Sequence, residues 1–290
     1  MTATGSPGLR LRSAWQNGPV VLPGVFCPLV ARMAERLGFA GIYLSGAAFS
    51  ASLGLPDIGL VTGAEFADEA RRITAATTLP LLCDADTGFG EALSAERTVR
   101  LYEAAGAAGL HLEDQVMPKR CGHLSGKSLV EADVMCAKLR AAVAAKRDPN
   151  FVVVARTDAR GVNGYADAVD RAKRYLDAGA DAIFPEALET AAEFEQFARD
   201  ISAPLLANLT EFGKTPPLDV KTLGDMGYKM VIFPVSAFRT ALKAAERTLE
   251  AIRADGHPRA VQPDMLTRQE LYDRLGYDGY EARDRAYFGL

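Results

Sequence analysis

The chain has 290 residues, of which 49% are hydrophobic, and 33 Lys and Arg stand against 37 Asp and Glu, a formal net charge of −4. This composition predicts a globular protein with a sizeable core and excludes intrinsic disorder. The slightly acidic balance argues against nucleic-acid or anionic-membrane partners. No apolar run in the sequence approaches the about 18 residues that a membrane span needs.

The cysteines indicate a cytoplasmic protein with reduced thiols. Cys27, Cys83, Cys121 and Cys136 have no spacing typical of a metal site and include no CxxC pair. The N-terminus carries no secretory signal, so disulfide bonds are not expected.

Eight short apolar runs, rich in Val, Ile and Leu, recur along the chain. They cover residues 20–25, 41–45, 79–84, 109–113, 151–156, 182–185, 204–208 and 230–234. Nearly continuous apolar runs are typical of parallel strands buried on both faces. Amphipathic segments separate them. Thr62 and Glu65 have capping-box spacing before a helix over 66–76, and Ser94 is the candidate cap of a helix over 95–105.

Eight βα units in fewer than 300 residues favour a (β/α)8 TIM barrel over an open doubly wound sheet. The alternative is weakened because neither a GxGxxG motif nor a Walker lysine loop follows the first strands. We expect a single domain over residues 1–290. Residues 258–290 would form a helical extension beyond the eighth helix (237–254), with helices at 267–275 and 280–288.

Polar side chains follow the apolar runs at the strand ends, where the active site of such a barrel lies. These positions are Tyr43, Ser45, Asp84, Asp86, Glu113, Asp114, Arg156, Asp158, Glu186, Asn208, Thr210, Glu211, Ser236 and Arg239. Carboxylates converging on one rim repel one another unless a cation neutralises them. Asp84 and Asp86 are two residues apart and can point the same way, which predicts a Mg²⁺ or Mn²⁺ site joined through water by Asp57 and Glu113.

The segment 118–123 places a thiol, Cys121, among Lys119, Arg120 and His123. Local positive potential makes this cysteine a candidate for proton transfer near neutral pH, and Gly122 and Gly126 would let the loop close over a ligand. A solvated basic loop with an incidental cysteine is the alternative.

Several other side chains have two possible roles each. Arg156, Arg239 and Arg268 either bind substrate carboxylates or form surface salt bridges. Tyr43 is either a base or a hydrogen-bonded core residue, and His111, inside a strand, is expected to be packed behind the site.

These motifs resemble the isocitrate lyase/phosphoenolpyruvate mutase superfamily. The similarity runs from about Leu22 to Phe288, and its most specific parts are the segments DADTGFG (84–90), GLHLEDQ (109–115) and KRCGH (119–123). The cysteine loop combined with the Asp-x-Asp motif is typical of the lyase branch.

The resemblance implies a (β/α)8 barrel whose last helix is exchanged between subunits of a homotetramer built as a dimer of dimers. It also implies Mg²⁺ dependence and a small di- or tricarboxylate substrate. The substrate contacts that it carries over are Ser45, Gly46, Ala47, Cys121, Gly122, Arg156, Glu186, Asn208, Leu209, Thr210, Arg239 and Arg268.

The reaction expected from the resemblance is Mg²⁺-dependent retro-aldol (retro-Claisen type) cleavage of (2S,3R)-2-methylisocitrate to pyruvate and succinate, a step of propionate catabolism by the methylcitrate cycle. Cys121 would protonate the succinate carbanion, Tyr43 would act as the base, and Lys119 and His123 would tune the thiol. Phe184 and Leu209 offer apolar surface for the methyl group. Isocitrate and 2,3-dimethylmalate are alternative substrates. A C–P bond mutase and a catalytically silent binding protein on the same barrel are the alternatives of other classes.

Overall fold

The computed structural model describes residues 5–120, 122 and 126–289. Within them lie eight strands, each inside or within one residue of a predicted run. They are β1 (Val20–Pro23), β2 (Ile42–Leu44), β3 (Leu81–Asp84), β4 (Gly109–Glu113), β5 (Val152–Thr157), β6 (Ala182–Pro185), β7 (Leu206–Asn208) and β8 (Met230–Phe233). The predicted (β/α)8 TIM barrel is confirmed, because these strands form a closed parallel ring.

Two sheets, joined by two isolated bridges, form that ring. Strands β2 to β6 pair in chain order, while β8 pairs with both β7 and β1. Parallel bridges Gly24–Tyr43 and Ile183–Leu205 join β1 to β2 and β6 to β7. At the first junction a Cβ on Gly24 would overlap the carbonyl of Pro234, so glycine lets the backbones approach closely.

Helices surround the ring, and two more follow it. They are α1 (Pro7–Ala14), α2 (Pro28–Arg36), α3 (Gly46–Ser52), α4 (Gly63–Thr74), α5 (Ala92–Ala104), α6 (Ala132–Ala144), α7 (Tyr165–Asp177), α8 (Ala191–Asp200), α9 (Val220–Asp225), α10 (Ser236–Asp255), α11 (Arg268–Leu275) and α12 (Tyr277–Tyr287). One apolar cluster fills the barrel interior, with Leu82, Val154 and Ile232 among its members, and a larger one lies between strands and helices. The strands are apolar on both faces because each face packs against one of these clusters.

The predicted helix starts were partly right. The capping box at Thr62 and Glu65 is present, and α4 follows directly at Gly63. Ser94 is not the cap of α5. The backbone carbonyl of Glu91 already accepts from the amides of Ser94 and Ala95, so the helix begins about one turn earlier.

The C-terminal elements pack weakly on their own barrel. Phe238 is the buried residue of the 20-residue helix α10, and α11 and α12 have none among their described side chains. Helix α11 contacts α2, where the guanidinium of Arg36 donates to the Asp273 carbonyl. The predicted extension is therefore helical, and both Leu249 of α10 and Tyr280 of α12 are exposed. None of the helices in the described part of the chain is both long and apolar enough to cross a membrane.

Candidate active site

A cavity opens at the carboxyl ends of the strands, with about 520 Å³ of empty space that includes its opening to solvent. Twelve of the predicted site residues line it: Tyr43, Ser45, Ala47, Asp57, Asp84, Lys119, Gly122, Arg156, Glu186, Asn208, Thr210 and Arg239. Phe184, Ile232, Pro234 and Val235 add apolar wall. The barrel places these side chains together because its parallel strands all end at one rim.

A lysine lies among the carboxylates predicted to bind metal. The Lys119 ammonium is 2.8 Å from Asp86 Oδ1 and contacts Asp57 Oδ1, and Lys119 and Asp86 are almost fully buried. Burial raises the pKa of Asp86 to about 7, with the charge of Asp84 adding to the rise. Burial alone would lower the pKa of Lys119, but the surrounding carboxylates raise it above its usual value. Lys119 therefore carries a stable positive charge inside the predicted metal site.

The carboxylates still fit a hard divalent cation. The point where a Cβ on Gly46 would lie is 2.7 Å from Asp84 Oδ2 and 3.5 Å from Asp86 Oδ1, so both oxygens face one small space. Behind them, buried Glu113 Oε1 has no hydrogen-bond partner among the residues described. Three ligating His, Cys, Asp or Glu side chains do not converge on one point within the described residues. The set therefore suits Mg²⁺ held by one or two carboxylates and completed by water and substrate oxygens.

Arg156, at the end of β5, is the second buried cation of the cavity. Its Nε lies 3.0 Å from Asp158 Oδ2 and 3.3 Å from Glu113 Oε2, and its Nη1 lies 3.6 Å from Glu186 Oε2. The guanidinium also stands over the Phe184 ring, 5.1 Å from the ring centroid. Burial would lower the pKa of Arg156, but these carboxylates raise it well above its usual value. The guanidinium is thus a fixed charge on the cavity wall.

Behind Arg156 lies a buried polar frame around Asp114, whose contacts the sequence did not predict. Asp114 accepts from the Asp158 amide at 2.9 Å, from the Thr157 hydroxyl at 2.8 Å and from the Tyr175 hydroxyl at 2.8 Å. Arg171 Nη1 lies 3.3 Å from the same carboxylate. This frame joins the ends of β4 and β5 to α7 and holds Asp158 in place.

Tyr43 and His111 form a buried pair beside Asp84. The Tyr43 hydroxyl and His111 Nε2 are 2.7 Å apart. Burial raises the pKa of Tyr43 well above its usual value and lowers that of His111 to about 4. Both groups are therefore neutral near pH 7. This speaks against the predicted role of Tyr43 as a base, because a neutral phenol donates a hydrogen bond instead.

The far rim is built by residues that follow β7 and β8. Asn208 Nδ2 donates to Glu186 Oε2 at 3.3 Å. Arg239, half exposed, donates to the Glu211 carbonyl at 2.7 Å and stands 5.7 Å from the centroid of the Phe212 ring. Arg239 is therefore a solvent-facing cation at the mouth, unlike buried Arg156.

Several predicted contacts lie elsewhere. Gly46 is behind the wall, where its amide donates to Asp84 Oδ2 at 3.1 Å. Leu209 lines a neighbouring surface pocket with residues 210–213 and 215–218, so of the two apolar residues predicted for the methyl group only Phe184 lines the cavity. Arg268 begins α11 and is not among the residues lining the cavity of its own chain. Cys121 and His123 lie outside the described residues.

A family model described as phosphoenolpyruvate phosphomutase matches residues 11–253. With the fold and the rim of charged residues, this match shows that the chain belongs to the phosphoenolpyruvate phosphomutase family, which in structural terms is the phosphoenolpyruvate mutase/isocitrate lyase superfamily.

Individual members of the family show which enzymes this chain is similar to. The chain is 53% identical over 279 residues to a 2-methylisocitrate lyase of Aeropyrum pernix, covering 96% of this chain and 90% of that protein. A 2,3-dimethylmalate lyase structure superposes with a TM-score of 0.91 at 36% identity, covering 98% of this chain and 96% of the other. A phosphonopyruvate hydrolase in complex with oxalate and Mg²⁺ gives 0.88 at 32% identity, covering 98% and 100%.

Proposed function

We propose that this protein is a carbon–carbon lyase that cleaves (2S,3R)-2-methylisocitrate to pyruvate and succinate. The observation that carries the proposal is the cavity itself, which is lined by Asp84, Lys119 and the fixed Arg156 cation, with Asp86 paired to Lys119 behind its wall. Such a space has cations for the substrate carboxylates and oxygen ligands for a metal. The names of the relatives at 44–53% identity support the substrate.

Mg²⁺ is the proposed cofactor, held by Asp84 and Asp86, with Glu113 and Asp57 joining through water. Mn²⁺ suits the same oxygen ligands. When bound, the ion would supply Lewis-acid stabilisation of the substrate hydroxyl and the adjacent carboxylate. The Mg²⁺ in the complex of the related phosphonopyruvate hydrolase supports this choice.

The chain's own residues would carry the remaining steps. The C2 hydroxyl proton would pass to the Glu186 carboxylate of the cavity wall. The C2–C3 bond would then break, with its electron pair moving to C3 of the succinate fragment. Arg156 would stabilise that fragment's enolised carboxylate as an oxyanion site does. Cys121 would donate its proton to C3, with Lys119 and His123 supporting the thiol. Tyr43 would donate a hydrogen bond to a substrate oxygen.

Apolar residues favour the methylated substrate. Phe184 and Ile232 line the cavity beside the charged groups. One methyl group in an apolar pocket is worth only about 1–3 kcal/mol, so slower cleavage of isocitrate is expected. The fold similarity to a 2,3-dimethylmalate lyase makes that diacid the second candidate substrate.

The proposed assembly is a homotetramer with exchange of α10 to α12 between neighbours, and the proposed location is the cytoplasm. The support for exchange is the exposed apolar surface of α10, including Leu242, Leu249 and Ile252. Exchange is also the arrangement in which Arg268 would reach a cavity, since it does not line the one in its own chain.

The proposed function is tested by presenting 2-methylisocitrate, isocitrate and 2,3-dimethylmalate side by side, with Mg²⁺ and with EDTA. Pyruvate release from 2-methylisocitrate is expected to be fastest, to stop in EDTA and to return when Mg²⁺ is added. Glyoxylate release from isocitrate should be slower by about 10- to 200-fold. Faster cleavage of 2,3-dimethylmalate would overturn the substrate, and turnover in EDTA would overturn the metal.

Replacing Gly122 by alanine is expected to lower kcat/KM by about 100-fold, because an added Cβ would overlap Glu186 Cγ and lie 2.5 Å from Arg156 Nη2. Initial rates at low concentrations of 2-methylisocitrate measure kcat/KM of the variant. The matched control is Gly279→Ala in helix α12, where the added Cβ meets only the end of Arg283 at 3.5 Å. Equal activity of both variants would show that Gly122 does not need this close approach.

A further inference from the structure

Lys127 is a buried cation that the proposed mechanism does not use. Its Nζ lies 2.7 Å from Asp158 Oδ1 and also donates to the backbone carbonyl of Gly122, and its side chain is only 2% exposed. A buried ammonium is stable only when hydrogen-bonded and paired with opposite charge. The two contacts meet both needs and place Lys127 between the carbonyl of one loop residue and a carboxylate of the barrel rim.

The carboxylate that Lys127 binds also holds the arginine of the cavity. Asp158 Oδ2 accepts from Arg156 Nε at 3.0 Å, while Oδ1 accepts from Arg156 Nη2 at 3.3 Å. Asp158 is itself fixed, since its backbone amide donates to Asp114 at 2.9 Å. Lys127, Asp158 and Arg156 therefore form a continuous chain of charge-assisted hydrogen bonds, in which the middle member has little freedom to move.

Gly122 is in direct contact with Arg156, which ends this series of hydrogen bonds. The space beside its Cα is filled by Arg156 Nη2 and Glu186 Cγ, which leaves no room for a side chain. The backbone at Gly122 is thus held from two directions, by its carbonyl to Lys127 and by its Cα against Arg156. Gly122 directly follows Cys121 in the sequence, so a shift of this backbone would move the attachment point of the thiol.

We propose that Lys127 is a positioning residue for the cleavage reaction, which holds the backbone of Gly122 against Arg156 through Asp158. The proposal rests on the proposed function for its chemistry. Lys127 does not line the cavity in the described part of the chain, so it acts through the groups that do. A purely structural ion pair would affect stability and leave the rate per folded molecule unchanged.

The first test compares steady-state kinetics of Lys127→Met with those of the wild-type protein on 2-methylisocitrate. We expect kcat to fall about 100-fold, while KM changes less than threefold because Arg156 and the metal carboxylates remain. Lys127→Arg, which can keep both contacts, should recover at least a tenth of the wild-type kcat. If the methionine variant does not fold, Lys127→Gln takes its place.

The matched control is Lys146→Met, which removes another lysine from an ion pair. Lys146 Nζ lies 2.6 Å from Asp181 Oδ2 at the opposite end of the barrel, before β6. Its loss is expected to leave kcat within threefold of wild type. Equal kcat for the Lys127 and Lys146 methionine variants, each corrected for the folded fraction, would overturn the proposal.

A second readout does not depend on turnover. The alkylation rate of Cys121 by iodoacetamide, followed by peptide mass spectrometry, should rise at least tenfold in Lys127→Met and stay unchanged in Lys146→Met. If the wild-type protein fails to cleave 2-methylisocitrate but this rise is seen, the proposed function is wrong, while the positioning of the Gly122 backbone by Lys127 stands. An unchanged alkylation rate together with an unchanged kcat would overturn the positioning role alone.

Discussion

Replacing Cys121 by serine is expected to lower kcat for 2-methylisocitrate about 1000-fold, while the protein still binds succinate and pyruvate. A positioned general acid contributes about 10²- to 10⁴-fold to a rate, and a serine hydroxyl is a far weaker acid than a thiol. The substitution changes a single atom, so the cavity and its charges should persist. Coupled detection of pyruvate measures kcat, and calorimetry with succinate measures binding.

Cys27→Ser is the matched control for this experiment. Cys27 is a half-buried residue that precedes α2, and it does not line the cavity in the described part of the chain. Its replacement should leave kcat within twofold of wild type. Near-normal turnover of the Cys121 variant would remove the thiol from the mechanism and leave the carboxylate and arginine assignments in place.

Replacing Arg156 by glutamine is expected to lower kcat/KM about 1000-fold, the upper end of what one oxyanion-stabilising donor contributes. The loss has two sources. The substrate loses its buried cation. In addition, Asp158, Glu113 and Glu186 lose the positive charge that offsets the repulsion between these buried carboxylates. Initial rates at low substrate concentration measure kcat/KM directly.

The same substitution is expected to destabilise the protein, because breaking a buried ion pair leaves an uncompensated charge. Arg156→Lys keeps the charge but not the paired donors of the guanidinium, so it should fold normally and still lose most of kcat/KM. Arg160→Gln is the control, since Arg160 pairs with Glu189 and Glu193 outside the cavity. Normal kcat/KM in the lysine variant would show that charge alone is needed at this position.

The strand pattern was predicted from the sequence because it depends on local composition. The runs at 109–113 and 182–185 match β4 and β6 at both ends, and the others agree within one or two residues. Parallel strands in a barrel are buried on both faces, so each must be a short apolar run. The Thr62–Glu65 capping box could also be predicted from local sequence, because both of its hydrogen bonds join residues three positions apart.

The predicted rim residues came together because strand ends converge in this fold, yet their partners could not be predicted. Lys119 was expected to act beside the thiol, and the structure places its ammonium between Asp57 and Asp86. Leu209 was expected at the substrate, but it faces a different pocket. Side-chain direction at a rim depends on the packing of neighbouring loops, which a single chain segment does not specify.

The sequence by itself determined the (β/α)8 architecture, the rim that bears the carboxylates and Arg156, and the resemblance to the superfamily. Periodicity and strand-end polarity are local properties, so one sequence is enough to read them. Only the tertiary structure decided that Asp114, Asp158 and Lys127 form a buried frame behind the arginine. Those contacts join residues 31 to 44 positions apart, and they exist because the closed barrel brings neighbouring strand ends within hydrogen-bonding distance.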